Sequence, residues 1–454
     1  MIPQKDRPMR TLIAILALAS PALAQHGYHP PPPGAGTETM KPHADGETHP
    51  PVGPDTTPGD AQNLYIIDEP GSYYLTEDLV VTTQGRDGIR IEADSVTLDL
   101  NGFPGNGTSA GDKGVFAFNF PQGLVVKNGT VRGWEGAGLD FNADGAVARD
   151  LILIDNNAWG VRANNAFGTT ILNCQSRNNG SDAAPENTGG FIVLRGAILR
   201  DCVSYNATVG FSFGSDGVLF ERCVASASQT SGFRSTSSSA GATFSMCVAE
   251  GSDGDGFFFD NPSTGDIPAL TFDRCTAREC ADDGFDLEGI DATFVHCTAQ
   301  ECGNVGFEIS GNAPTSSASF TDCTGMRCGD SGFVISSAAT LTRCTGSDNA
   351  NAGFFLFGAG SRMVDCTAVR NAFNGAVLGP DNYASGCNFS GNPSSGVVLG
   401  FRCTLRDCVI SNNGGTGVRV NNASVVRGCT IHNNNAGLIG NGGLLGFTSI
   451  RIEH

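Results

Sequence analysis

Asp282 and Asp283 are adjacent, Asp286 follows three positions on, Glu288 comes next but one, and Glu308 stands to its glycine, Gly306, as Asp286 stands to Gly284. Carboxylates at that density suit two kinds of chemistry. Gathered on one surface, they supply oxygen ligands to a hard divalent cation such as calcium, which takes roughly six to eight oxygens in flexible geometry. Held about 5 to 9 Å apart, two of them supply the acid and the base of glycoside hydrolysis. Asp-Gly pairs are also ordinary bend chemistry, so the choice rests on which of these residues the fold makes neighbours.

A glycine followed by an apolar residue recurs at 88, 114, 138, 160, 190, 210, 232, 256, 284, 306, 332, 353, 375, 396, 417 and 437, sixteen copies spaced 20 to 30 apart. The residue after each glycine, from Ile89 to Leu438, is apolar, and the one two further on usually is, so these two face inward and the residue between them faces out. A second alternating pair precedes each recurring cysteine, with Phe272, Phe294 and Phe320 in the same place of successive copies, and a third carries Cys275, Cys297 and Cys323 followed by the small Ala277, Ala299 and Gly325. Three short strands per period with no helical stretch between them predict an all-β chain, a right-handed parallel β-helix solenoid of about 16 coils. At a strand spacing of about 4.8 Å the coils would stack into a rod roughly 75 Å long.

Stacking places the acids. Asp286 and Glu308 become outward neighbours one coil apart, Glu288 is the next outward residue of its strand, and Asp260 holds the place of Glu288 one coil earlier. Asp282 and Asp283 fall in the bend before that strand, Asp253 and Asp255 in the bend before the previous one. Like charges so close repel unless a cation or protons offset them, and calcium is the cation expected outside a cell. Outward aromatics, Phe116, Phe258 and Phe355, suit stacking against sugars, and Arg234 and Arg278 are expected to face outward nearby.

Twelve of the 16 cysteines recur once per coil at one inward position, from Cys174 to Cys429. Side-by-side Cβ vectors in a parallel ladder stand further apart than a disulfide prefers, so a column of buried thiols is favoured over disulfides. Cys280, Cys302 and Cys328 each lie five residues after a ladder cysteine, where other coils have Asn179, Asn349, Asn371, Asn392, Asn413 and Asn434. An internal asparagine ladder, bent in left-handed conformation, is expected there.

Arg10, the apolar run Thr11 to Ala19 and the small "ALA" at 22–24 read as a secretory signal, residues 1–24, too short to span a membrane. Residues 25–60, rich in Pro, Gly, His and Thr, read as a disordered linker, and its His26, His29, His43 and His49 match no closed metal site. The solenoid is expected over 61–454, with 61–87 as its N-terminal cap, in a monomer secreted, periplasmic or at the cell surface. A formal charge of −19 disfavours nucleic acid as a partner.

The repeats resemble the pectin-lyase-like superfamily, and "GSYYLTEDLVV" (71–81) with "DGIRIEADSVTLDLNGF" (87–103) resembles the opening coils of exported bacterial β-helix proteins. "ADDGFDL" (281–287) resembles the calcium motif of family 9 polysaccharide lyases. That resemblance implies Ca2+ held by Asp282, Asp283 and Asp286 with Asp255 or Asp253 from the preceding coil. The outward stacking, separately, makes Asp260, Glu288 and Phe258 the candidates to lie against an extracellular polysaccharide, uronate-like in a lyase. Those lyases carry a lysine base in a "GFK" context; this chain reads "GFE" at Glu308, and no lysine follows Lys127. Glu308, Arg278 and Arg234 are the remaining catalytic candidates. A calcium-dependent lyase, a hydrolase, and a non-catalytic rod that binds glycan or calcium or merely displays a rigid surface all stay open.

Overall fold

The computed structural model describes residues 49–454 except 164, 182–186, 215, 237–240, 261–268, 312–316, 422, 441–446, 449–450 and 454. The expected signal, 1–24, and residues 25–48 of the expected linker lie outside the described residues. Among the described residues no helix is long and apolar enough to cross a membrane.

The glycine–apolar repeats become the strands of one parallel sheet of 17 strands, from Asn63–Ile67 to Ala436–Gly440. Each coil adds two further strands that pair with their counterparts in neighbouring coils; in Val125–Arg132 and Val147–Ile154 those two run on as one. Three strands per coil is the predicted arrangement. One coil precedes the sixteen that glycine marks. Asn63–Ile67, Gly71–Tyr74 and Leu79–Val80 pair in parallel with Asp87–Ile91, Val96–Asp99 and Pro104–Asn106, so 61–87 holds a coil where a cap was expected. Composition also misplaced the end of the linker. Residues 49–60 lie against this first coil, with Val52 donating its N–H to Tyr74 O at 2.8 Å and Val52 and Thr57 buried.

The glycine column exists because coils approach closely there. A Cβ on Gly284 would lie 2.6 Å from Gly306 O and 2.9 Å from the Ala299 Cβ. Immediately after it runs a stack of phenylalanines, Phe191, Phe211, Phe233, Phe257, Phe285, Phe307, Phe333 and Phe354, ring on ring at 4.6–5.0 Å. A second stack, Phe220, Phe244, Phe272, Phe294 and Phe320, meets the first edge to face, as Phe285 does Phe294 at 5.5 Å and 84°. Both geometries suit the ring quadrupole, and the rings have no solvent exposure.

All 16 cysteines are buried and free of disulfides. Ladder thiols donate to carbonyls of the coil before, Cys275 to Phe244 O and Cys297 to Phe272 O, both at 3.4 Å. Burial pushes the Cys223, Cys247 and Cys275 thiols well up, which keeps them neutral.

The asparagine ladder is present, but its conformation is not the expected one. Asn349, Asn371, Asn392 and Asn413 each donate Nδ2 to the Oδ1 of the next member, at 2.8–3.1 Å, and Asn156 pairs likewise with Asn179. The left-handed residue is the one before the ladder position: Glu279, Glu301, Arg327, Asp348 and Arg370 have φ of 54 to 59°. The residue before each ladder cysteine does the same, as in Arg274, His296 and Asp322. Placing the left-handed turn one residue early makes the corner and lets the next side chain point inward. Side chains of the corner residues stack on the surface, for example Arg343 on Asp322 and Arg370 on Asp348 at 2.7 Å.

Candidate functional site

The strands Phe257–Asp260, Phe285–Glu288 and Phe307–Ser310 lie side by side in the first sheet. Their register sets Phe258 beside Asp286, Asp286 beside Glu308, and Asp260 beside Glu288. Arg234 precedes Phe258 in the same outward column, its guanidinium 5.4 Å from the ring centroid. Asp286 and Glu308 therefore share one side of the sheet, as the period requires.

The bends add two acids. Asp255 Oδ1 accepts the N–H of Asp283 at 3.0 Å, and Asp283 Oδ1 accepts the N–H of Val305 at 2.7 Å, so each bend carboxylate is tied to the following coil through one oxygen. Asp255, Asp283 and Asp286 each bring a carboxylate oxygen within 4.8 Å of the others. Asp283 is only 5 % exposed. Burial raises all three, to about 6 for Asp255, about 8 for Asp283 and about 7 for Asp286. Glu308 pushes each of them further, Asp282 adds to Asp255 and Asp286, and Glu288 adds to Asp286.

Of the four predicted ligands the fold thus gathers Asp255, Asp283 and Asp286; Asp282 is exposed beside them and acts through its charge, and Asp253 is exposed. In "SDGDGFF" only Gly256 precedes a phenylalanine, and what separates the two acids is the bend, which turns Asp255 to the following coil and leaves Asp253 exposed. Asp260 and Glu288 pair in register at the far end of the same strands. Arg278 lies on a different strand, Thr276–Arg278, and is bound to Glu250 at 2.8 Å. Phe116 lies 4.7 Å beneath the Lys113 ammonium, and Phe355 stacks on Phe357.

The sequence reading missed a partly buried ion pair on this face. Asp140, 1 % exposed, accepts from Arg162 Nε at 3.0 Å and also from Nη2. The signal was in the repeat: Asp140 and Arg162 each stand two residues after their glycines, Gly138 and Gly160, which makes them outward neighbours in adjacent coils. A shallow depression of about 590 Å³ lies over other strands, floored by Thr271, Thr293, Ser319 and Thr340. Asp291 is its one titratable lining residue, and it lacks the convergent charge of the carboxylate site.

Residues 189–337, 269–382 and 313–452 match the sequence pattern described as right handed beta helix region. The chain belongs to the right-handed β-helix family. Its handedness is thus that of the prediction. No curated protein matches the chain. Solved structures similar to this β-helix protein include the periplasmic alginate epimerase AlgG (10% identity, 88% of this chain and 80% of that chain, TM-score 0.28). The A-module of Azotobacter vinelandii mannuronan C-5 epimerase AlgE4 is similar at 15% identity, over 77% of this chain and 87% of that one, with TM-score 0.33. Pectate lyase Pel9A is similar at 12% identity, over 70% and 68%, with TM-score 0.27.

Proposed function

We propose that this β-helix protein is exported and holds an extracellular polysaccharide across the outward side of its first sheet, at a calcium site made by Asp255, Asp283 and Asp286. The observation that carries the reading is the convergence of three carboxylates whose neighbours Asp282, Glu288 and Glu308 add negative charge. The donor set fits calcium: it is all oxygen, and a backbone amide fixes one oxygen each of Asp255 and Asp283 while the other stays available. When bound, calcium would neutralise the cluster and attract an acidic or hydroxylated sugar. Asp260, Glu288 and Phe258 flank the position the sugar would take.

Lyase activity is a narrower version of the reading, and it requires a base for the proton α to a uronate carboxylate. Glu308 is placed for that role beside Asp286 but adds repulsion toward a uronate; Arg234 lies over Phe258, and Arg278 is held by Glu250. These positions favour binding without the lysine-type elimination. The deciding experiment incubates purified protein with polygalacturonate, alginate and neutral glycans, with calcium or chelator. Calcium-dependent retention in glycan-containing gels supports the reading. Absorbing unsaturated ends would make the protein a lyase, new reducing ends without that absorbance a hydrolase, and retention indifferent to calcium on every glycan would sink the calcium site.

A further inference from the structure

Beyond Glu308 the outward column changes character. Register carries it from Glu308 to Val334, Phe355, Val377 and Val398. In these four coils every side chain of this column is apolar, and the next outward column, which holds Phe357, carries no charge either. Phe357 is 53 % exposed, and its ring lies on that of Phe355 at 5.4 Å and 8° between planes. Phe373, also 53 % exposed, stands in the bend leading to Val377. Large exposed rings on an otherwise acidic chain mark a contact surface, since leaving them in water costs free energy that an occupant would recover.

The occupant follows from charge and shape. A uronate chain laid along the column would bring a carboxylate to each coil, here onto a half-buried strip without a cation and next to the Asp286–Glu308 pair. An uncharged pyranose instead presents a C–H face that packs on the negative face of an aromatic ring. The coil repeat, about 4.8 Å, is close to the advance of one sugar along an extended chain, so successive sugars meet successive coils.

We propose that Phe355 and Phe357 form a landing platform for uncharged sugar rings, so that the polysaccharide recognised by this protein has a neutral segment over the coils of Val334 to Val398 and is not a homopolymer of uronates. The proposal rests on the polysaccharide reading above and names its substrate class. It assigns the carboxylate site and the platform to different parts of one glycan.

The test is affinity electrophoresis of the full chain in gels holding a soluble β-glucan, xylan, galactomannan, polygalacturonate or alginate, with wild type, Phe357→Ala and Phe355→Leu. At least one neutral glycan should retard the wild type, with affinity reduced about tenfold or more by Phe357→Ala and Phe355→Leu. Retardation by the homopolyuronates alone, or retention unchanged in both variants, would overturn the platform. So would a sedimentation-detected dimer that Phe357→Ala dissolves, because the rings would then serve a second copy. Phe357 is exposed, so its truncation leaves the core intact, and the calcium-dependent rise in melting temperature should survive it. If wild type shows no such rise while neutral glycans still bind through Phe357, the calcium reading fails and the platform stands.

Discussion

The Oδ1 of Asp283 accepts the N–H of Val305, in the following coil, at 2.7 Å. This bond favours the ionised carboxylate, yet burial and the charges of Glu308, Asp255 and Asp286 outweigh it and leave Asp283 near 8. The backbone thus holds the acid in a place that its own electrostatics oppose, and a bound cation or proton would relieve that conflict.

A pH dependence follows. Asp255, Asp283 and Asp286 have folded pKa values above the ordinary aspartate range, so between about pH 4 and pH 8 the folded state binds more protons than the unfolded chain. Stability without metal should be greatest at the acid end of that window and fall as pH rises through it. Calcium should remove most of this slope by taking the protons' place. Melting temperatures measured across the window in chelator and in millimolar calcium check both statements; a metal-free curve that rises with pH through this window would contradict them.

Asp283→Asn separates charge from geometry. The amide oxygen can still accept from Val305, so the bend should be kept while one buried negative charge is lost. At about pH 8 in chelator the variant should melt above wild type, and its calcium affinity should drop tenfold or more. Asp282→Asn, at an exposed position outside the group of three, should change calcium affinity by less than about threefold. Calorimetric titration of both variants reads the difference.

What could be read from the chain was whatever repeats with side-chain identity: glycine before an apolar residue, phenylalanine over phenylalanine, cysteine over cysteine. The first coil was missed because Leu64 and Tyr65 stand where later coils have glycine and an apolar residue. The left-handed corners were misplaced by one residue because Arg, Glu, His and Met occupy them as well as Asn, Asp and Gly, so residue type alone does not mark the position. Composition assigned residues 49–60 to the linker, although Val52 and Thr57 are enough to seat them on the first coil. At the candidate site the acids were legible as a group. Their division into Asp255, Asp283 and Asp286 on one hand and exposed Asp253 and Asp282 on the other depends on bend geometry, which the repeat pattern does not encode.

The thiol columns make a prediction about reactivity. Every cysteine is buried, which keeps reagent from the sulfurs; burial also raises Cys202, Cys223, Cys247 and Cys275 well above the ordinary range, whereas hydrogen bonds from neighbouring thiols lower Cys323, Cys366 and Cys408, so protection there rests on burial. Iodoacetamide should add almost nothing to the native protein within minutes. After unfolding in denaturant without reductant it should add 16 groups, one for each cysteine. Intact mass reads the count, and a deficit that reductant restores would mean that neighbouring coils are joined by disulfides.

Phe285 tests how far stability depends on the aromatic stacks beside the site. Its ring lies between Phe257 and Phe307 at 4.6 and 4.8 Å, and meets Phe272 and Phe294 edge on at 5.6 and 5.5 Å. Truncation to alanine should cost about 3 to 5 kcal/mol, because the neighbouring rings are held by their own coils and cannot close the cavity. Leucine fills part of the space but loses the ring contacts, so Phe285→Leu should cost less, about 1 to 3 kcal/mol. Asp286 follows Phe285 directly in the same strand, so a cavity beneath it should also loosen the carboxylate cluster. Urea midpoints should fall in the order wild type, Leu, Ala, and calcium affinity should weaken in that order; a loss of stability with calcium affinity unchanged would show that the bends alone hold the site.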